Sequence, residues 1–254
     1  MILGLLVAAA AMVAQQPKLV DAKLETRALR GSLAQEVAGA TEKAFWLAWT
    51  AAAVPGDRQS CWPSENRILE NKAQLEGPRE LHILLRIENH WVQRVRTFTP
   101  DCEIDAGGFP MVWLTGVPAA ESVRYLRSIA FDAPTAVDAI GLQRGPEADA
   151  ALEEMAVSTQ PDKIRRKAAY WLGATRGSRG VALLTKMIRE EREDGFREHL
   201  TFALSQSKEG VGVLIDLVRT AKPADRKVRD KAVFWLAKSR DPEARRFIDG
   251  ILNR

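Results

Sequence analysis

The chain has 254 residues, of which 46% are hydrophobic and 28% are charged, a composition typical of a globular protein with one or two domains. The formal net charge of +4 is uneven: residues 15–118 hold 12 basic and 13 acidic side chains, and the rest of the chain holds 25 and 20. Because these charges are interspersed, the second half is more typical of a solvated helical surface than of a nucleic-acid-binding face, so binding to nucleic acid is disfavoured.

The N-terminal stretch Ile2–Val13 is an apolar run of 12 residues. It is shorter than the roughly 20 residues of a membrane span and typical of a signal-peptide core, with cleavage expected after Ala14. No lysine or arginine precedes the run, which leaves a retained anchor or a buried N-terminal helix as alternatives. We expect residues 1–14 to be a signal peptide, the mature chain to have no membrane span, and the protein to be periplasmic or secreted.

Residues 15–118 are predicted to form a small α+β domain with an antiparallel sheet. Ala22–Leu29 alternates weakly and predicts an edge strand or a helix start. Ser32 is a suitable cap for a helix over Leu33–Ala40. The apolar segment Phe45–Val54 ends at Pro55-Gly56 and predicts a buried strand.

Three further strands are predicted before residue 100, over Arg67–Leu75, Glu80–Glu88 and Trp91–Thr97. Asn89-His90 joins the last two, a length suited to a tight hairpin. Alternating apolar residues, Leu81, Ile83, Leu85 and Ile87, indicate a sheet with one covered face. Trp91 and Val95 are expected to share a face of the next strand and to pack against them. Met111–Val117 predicts one more strand.

Two cysteines, Cys61 and Cys102, are present. In an exported chain a single pair predicts a disulfide, closing a loop of about 40 residues and contributing about 3–4 kcal/mol. A metal site that also uses His82 and His90 is disfavoured, because the spacing of these residues matches no zinc motif. The acidic residues near Cys102 (Asp101, Glu103 and Asp105) lack a calcium-loop pattern, so a solvated turn is favoured. No cofactor and no metal are predicted.

We place a domain boundary near Pro118, followed by a helix over Glu121–Ile129 and by an internal repeat. Ile164–Thr175 (IRRKAAYWLGAT) is similar to Val228–Ser239 (VRDKAVFWLAKS), 64 residues later, and Phe196–Ser207 (FREHLTFALSQS) lies halfway between them. A shift of 32 aligns Tyr170, Phe202 and Phe234, and also Leu172, Leu204 and Leu236, followed by a column of small residues. In a degenerate earlier unit, Asp138 breaks the aromatic column. A fixed period of this length predicts stacked helical units.

Each unit contains two amphipathic runs with helical spacing, for example Ile164, Ala168, Trp171 and Leu172 and then Leu183, Leu184, Met187 and Ile188. The pattern V-R-x-K-A-x-x-W-L-x-x-S-x-D-P at Val228–Pro242 resembles HEAT repeats, in particular the short bacterial type related to phycobilin-lyase repeats. The resemblance covers about Asp132–Arg254, and the whole arrangement is similar to exported bacterial HEAT-repeat proteins. Together, the strand pattern of the first half and this repeat predict an α+β N-terminal domain followed, over residues 119–254, by an all-α HEAT-like solenoid of about four helix-pair repeats with period 32.

Two columns of basic residues recur through the repeats. Arg144, Arg176, Lys208 and Arg240 either form a ladder that grips an acidic partner or, as we favour, meet the carbonyls at the end of each first helix. The resemblance implies that the second column, Arg165, Arg197 and Arg229, bonds between units. Trp171 and Trp235 are either aromatic anchors in a binding groove or, as we favour, large residues of a layered core.

The resemblance also implies that the second helices line the concave surface of the stack. The candidate partner-binding residues are therefore Lys186, Arg189, Arg219, Arg245 and Arg246, with Trp171 and Trp235, and the expected partner is a protein with an acidic, extended face. We expect a protein–protein interaction or scaffold function. The alternatives are a lyase-like accessory that binds a prosthetic group, suggested only by the repeat subtype, and a polyanion-binding module.

No catalytic site is predicted. The sequence contains none of the local motifs of serine hydrolases, P-loop proteins, dinucleotide-binding proteins or zinc proteases. Carboxylate pairs such as Glu153-Glu154 and Glu190-Glu191 are adjacent in a predicted helix, where neighbouring side chains point apart. An enzymatic function is therefore disfavoured.

Overall fold

The computed structural model describes residues 17–55, 79–157 and 159–253, and no helix within these ranges is long and apolar enough to cross a membrane. The predicted signal peptide, Cys61 and the predicted strand Arg67–Leu75 lie outside the described residues. Export, the disulfide to Cys102 and that strand therefore stay predictions. Cys102 itself is buried.

The described residues between 18 and 115 form a β-sheet region. In chain order its strands are β1 (Lys18–Val20), β2 (Lys23–Ala28), β3 (Ala44–Ala52), β4 (Glu80–Glu88), β5 (Trp91–Phe98), β6 (Glu103–Asp105) and β7 (Pro110–Thr115). Five of them pair in the order β2-β7-β3-β4-β5, and β1 pairs with β6. The antiparallel pairing that the sequence predicts is present between β3 and β4 and between β4 and β5. However, β7 pairs in parallel with both β2 and β3, so the sheet is mixed.

The sheet is covered on both faces rather than on one, and β4 is buried along nearly its whole length. Leu81, Ile83, Leu85 and Ile87 pack with the helices, as their alternation predicts. On the second face, Leu84 packs with Met111 and with residues from β6 and its turn, including Ile104. The β1–β6 pair supplies this second layer, which the alternation within a single strand did not indicate.

The β4–β5 hairpin turns at Asn89-His90, where both residues have positive φ, 48° and 65°. This left-handed backbone suits the right-handed twist of the flanking strands. A bulge then shifts the register, so that Ile87 pairs with Val92 but Arg86 pairs with Arg94. The expectation that Trp91 and Val95 share a face is therefore wrong: Val95 is 4% exposed in the core, and Trp91 is 69% exposed.

The short helix α1 (Leu33–Ala38) begins at Ser32, as predicted. The Ser32 hydroxyl accepts from the Gln35 N–H, and the Gln35 side chain accepts in return from the Ser32 N–H at 2.9 Å. This reciprocal capping satisfies two N–H groups that a helix start leaves open. A third, the Leu33 N–H, donates to Glu121 Oε1 at 2.7 Å, which ties the start of α1 to the first helix of the helical region.

The rest of the described chain is helical, and its helices follow the predicted alternation of first and second helices. They are α2 (Ala119–Ile129), α3 (Thr135–Leu142), α4 (Pro146–Met155), α5 (Asp162–Thr175), α6 (Gly177–Glu190), α7 (Asp194–Ser205), α8 (Gly210–Thr220), α9 (Arg226–Lys238) and α10 (Pro242–Leu252), with a 3₁₀ turn at Pro223–Asp225. The first helices α3, α5, α7 and α9 contact one another in this order, and α8 contacts both α6 and α10.

The column of small residues marks where successive first helices approach each other. A Cβ atom placed on Gly173 of α5 would lie 1.9 Å from the Ala203 carbonyl oxygen of α7, far inside van der Waals contact. A Cβ atom placed on Gly141 of α3 would likewise lie 2.2 Å from the Trp171 indole of α5. Glycine is needed at both positions because the neighbouring helix occupies the volume of a side chain.

One hydrophobic core runs from the sheet into the helices and crosses the position of Pro118. A buried chain of hydrogen bonds crosses it too: Trp49 Nε1 on β3 donates to Ser122 Oγ on α2 at 2.9 Å, and Ser122 donates to Gln143 Oε1 at 2.8 Å. The backbone after α3 pairs with the end of β3 through Ala53 and Gln143. The sheet and the helices α2 and α3 are thus packed as one body.

Candidate functional site

All five cations predicted to bind a partner are exposed and lie on second helices. Lys186 and Arg189 are on α6, Arg219 is on α8, and Arg245 and Arg246 are on α10. The structure brings Lys186 and Arg189 together on one groove and places the other three elsewhere on the same row of helices.

The groove lies between α6 and α8 and has a volume of about 620 Å³. Val181 and Ala182 of α6 and Val213 of α8 supply its apolar part, and Thr185 contributes from the middle of α6. Ser178, Lys186, Arg189, Glu190 and Glu209 complete the lining. Small and β-branched residues on α6 and α8 leave an open channel there, where longer apolar side chains would fill it.

The cations of the groove are weakly compensated by the protein itself. Lys186 Nζ lies 3.9 Å from Glu190 Oε1, and both side chains are more than 60% exposed, so this pair contributes little. Among the described residues, no carboxylate forms an ion pair with Arg189. The Ser207 hydroxyl donates to Glu209 and lowers the pKa of that carboxyl, so the groove also keeps a negative charge at the start of α8.

By contrast, several cations of the first helices bond to the neighbouring helix. Lys167 of α5 contacts Asp138 of α3 at 2.6 Å, and Lys227 of α9 contacts Asp194 of α7 at 3.0 Å. These pairs hold successive first helices together.

Second helices are joined in the same way, since Arg179 of α6 pairs with Asp149 and Glu153 of α4. Arg189 of α6 differs from these cations, because it forms no ion pair among the described residues.

The column Arg165, Arg197 and Arg229 bonds between units at two of its three positions. Arg165 of α5 pairs with Glu191, and its guanidinium lies 3.7 Å from the centre of the Phe196 ring of α7. Arg197 of α7 pairs with Asp225, just before α9, at 2.5 Å. Arg229 is in the last unit, bonds only to its neighbour Asp230 among the described residues, and is partly exposed.

These pairs also change the ionisation of their carboxylates. Burial alone would raise the pKa of Glu191, but the N–H groups of Glu193 and Arg192 and the Arg165 guanidinium lower it overall. The hydrogen bond from Arg197 likewise lowers the pKa of Asp225. Both carboxyls are therefore charged at neutral pH, which preserves their ion pairs with Arg165 and Arg197.

The structure places one member of the other basic column, Arg176, against helix carbonyls, and these belong to the preceding first helix. For Arg144, Lys208 and Arg240, no such bond is present among the described residues. Arg176 donates to the Gly141 oxygen at 2.6 Å and to the Gln143 oxygen at 2.9 Å, at the end of α3, and pairs with Asp149 at 2.7 Å. Burial lowers the pKa of Arg176, and Asp149 opposes this shift. The other three members are exposed.

The two tryptophans are part of the packing between first helices and do not line the groove. Trp171 is 8% exposed, and its indole N–H donates to Asp138 Oδ1 at 2.8 Å. Trp235 is half-buried and packs on Phe202, with ring centres 5.0 Å apart. Asp138, which interrupts the aromatic column in the sequence, is thus the acceptor for both Lys167 and Trp171 in the next unit.

Several residues of the groove were not predicted from the sequence, among them Val213 and Glu209. Val213 lies in α8 next to the buried Leu214, and Glu209 precedes the helix. Their shared position with Arg189 depends on how α6 and α8 pack. The only sequence signal was the predicted second-helix surface, which located α6 and α8 without pairing their residues.

The described histidines lie apart and are engaged by their own surroundings. His82 on β4 contacts the Thr50 hydroxyl, His90 contacts the Val37 oxygen, and His199 on α7 contacts the Arg166 oxygen. Within the described ranges, no group of three or more His, Cys, Asp or Glu side chains is placed to hold a metal ion.

Comparisons with known proteins add no relative: no family model, no curated protein and no solved structure matches the chain.

Proposed function

We propose that the protein is an exported scaffold whose helical region is a HEAT-like solenoid of four helix pairs. The pairs are α3–α4, α5–α6, α7–α8 and α9–α10. Support comes from the 32-residue period together with the successive contacts of α3, α5, α7 and α9, because stacked repeats contact mainly their neighbours. The signal-like segment 1–14 supports export.

The groove between α6 and α8 binds the partner in this proposal. The observation that carries it is the exposed Arg189, which forms no ion pair among the described residues, beside the apolar lining from Val181 and Val213. An apolar channel takes the partner's side chains, and Lys186 and Arg189 select against basic sequences. The occupant is a protein with an extended, acidic segment. Arg219, Arg245 and Arg246 continue the contact along α8 and α10.

The test uses residues 15–254 as bait in periplasmic extract, with the captured proteins identified by mass spectrometry at low and high salt. Arg189→Glu and Val213→Asp are compared with Arg226→Glu, which makes the same charge change at an exposed position of α9. We expect both groove variants to lose one stoichiometric protein that the control variant keeps. An acidic peptide from that protein should then bind the purified bait directly.

Equal capture by all variants would show that the partner binds elsewhere. Capture of a broad set of polyanions, released together as salt is raised, would instead favour the polyanion-binding alternative.

A further inference from the structure

A second cavity, of about 500 Å³, lies on the second face of the sheet and is lined by residues of the first half of the chain, whereas the groove is lined by residues of the second half. We call it the sheet cleft, and it lies between β4, β5 and the turn that follows β6. Its lining is Trp46, Arg86, Glu88, Gln93, Arg94, Asp105, Ala106, Gly107 and Phe109. The scaffold proposal uses none of these residues.

Two arginines are directly opposite each other in this cleft. Arg86 of β4 pairs in register with Arg94 of β5, and both side chains line the cleft. Like charges at directly opposed positions destabilise a sheet. A negative charge near either arginine reduces this repulsion.

The protein compensates Arg86 but not Arg94. The Arg86 guanidinium is 7% exposed, donates to the Ile87 oxygen at 2.7 Å and to Glu88 Oε1 at 2.9 Å, and lies 3.8 Å from the centre of the Phe109 ring. Arg94 is exposed, and among the described residues no carboxylate forms an ion pair with it. Asp105 uses one carboxylate oxygen to accept from the Gly107 N–H at 2.8 Å.

The bulge in β5 places both Arg94 and the preceding residue, Gln93, in the lining of the cleft. The register shift between Arg86 and Ile87 leaves Gln93 as the extra residue, and both Gln93 and Arg94 line the cleft. Consecutive strand residues otherwise point to opposite faces, and bulges commonly re-aim side chains next to binding sites. An amide and a guanidinium are thereby presented side by side.

Phe109 and Trp46 give the cleft aromatic surface. Phe109 is 37% exposed, and its ring is held in place because Arg86 stacks on it. Trp46 is half-buried beside the same guanidinium, 6.0 Å from it. A ligand ring can therefore pack on an aromatic side chain in the same cleft as Arg94.

We propose that the sheet cleft binds a small organic carboxylate carried on a six-membered ring. The carboxylate accepts two hydrogen bonds from the Arg94 guanidinium, and the ring packs on Phe109. The Gln93 amide and the Glu88 carboxylate hydrogen-bond polar substituents of the ring. Two compound classes share this chemistry, aromatic carboxylates and uronic acids, and the experiment separates them.

The experiment measures binding of benzoate and of glucuronate to residues 15–254 by calorimetry and by ligand-observed NMR. Neutral benzamide and inorganic phosphate are the comparison ligands. We expect saturable binding of one of the two carboxylates, no binding of benzamide, and no saturable binding of phosphate alone. Saturation by benzoate identifies aromatic carboxylates, and saturation by glucuronate identifies uronic acids.

Arg94→Gln should weaken binding about tenfold or more, because it removes a charge-assisted contact. Arg96→Gln is the matched control: Arg96 is exposed on the same strand, opposite Leu84, and does not line the cleft. Phe109→Leu should also weaken binding, while Arg96→Gln leaves it unchanged. Circular dichroism checks that each variant is folded. Equal losses in Arg94→Gln and Arg96→Gln, or no saturable binding of either carboxylate, would overturn the proposal.

Discussion

The indole of Trp171 on α5 occupies the space beside Gly141 on α3 that a side chain at position 141 would need. This contact joins the degenerate first unit to the regular repeats. The same contact accounts for the glycine at position 141 and the tryptophan at position 171. Adding one methyl group at position 141 tests it.

Gly141→Ala should destabilise the protein by about 1–3 kcal/mol, because the added methyl group has no room beside Trp171. Gly212→Ala on α8 is the control, since a Cβ atom there meets nothing within 4 Å. Because alanine favours the helix more than glycine does, Gly212→Ala should stabilise the protein by about 0.5–1 kcal/mol. Urea denaturation measures both, and similar effects of the two changes would contradict the packing.

Arg176→Met should destabilise by about 2–3 kcal/mol, because the Gly141 and Gln143 carbonyls lose a charged donor in a buried setting. Arg240→Met changes the same column of the repeat at an exposed position and should alter stability by less than about 0.5 kcal/mol. Thermal unfolding of the two variants compares them directly. If they shift equally, Arg176 is not the link between units.

Ser122→Ala removes the hydroxyl that joins Trp49 on β3 to Gln143 after α3. The change leaves the Trp49 indole N–H and the Gln143 side-chain oxygen without this partner in a buried setting. It should lower the free energy of unfolding by about 1–3 kcal/mol. Ser128→Ala, on the exposed side of the same helix, is the matched control and should change stability much less. We also expect near-UV and far-UV circular dichroism to report one shared transition in the Ser122 variant, because the core crosses this helix.

The stability of the protein should fall in mild acid because of His82. Burial lowers the pKa of His82 from 6.5 to about 4. The unfolded chain therefore binds a proton below pH 6.5 that the folded chain resists until pH 4. Stability is lost as pH falls through this window, by about 3 kcal/mol at its lower end.

His82→Asn keeps a polar group beside Thr50 and cannot titrate, so its stability should depend less on pH between 6.5 and 4. Burial also lowers the pKa of His199, so part of the dependence remains in this variant. Urea unfolding at several pH values measures the difference. Parallel curves for the two proteins would show that His82 does not carry the effect.

Local signals in the sequence predicted much of the fold. The Ser32 cap, the alternation along β4 and the paired helical runs after Pro118 all depend on contacts within a few residues of the chain. The face of Trp91 was predicted wrongly because a bulge, which depends on the partner strand, reversed the side of the sheet to which it points. The second layer over the sheet was missed for the same reason, since β1 and β6 are far apart in the sequence.

The candidate site was predicted only in outline. The exposure of Lys186 and Arg189 followed from the helical period, but their grouping with Val213 and Glu209 required the packing of α6 on α8. The sheet cleft had no signal, because Arg86, Arg94 and Phe109 meet only when the strands are in register and the turn after β6 folds over them.

The sequence by itself determined the helical period of the repeats, the position of the strands β3, β4 and β5 and the column of small residues, because these are set by spacing along the chain. The tertiary structure alone decided which charges are used between helices and which stay available. Asp138 accepts from Lys167 and Trp171, whereas Arg189 and Arg94 form no ion pair among the described residues. The physical reason is that a charge is compensated by groups within a few ångströms in space, and that distance depends on packing rather than on sequence separation.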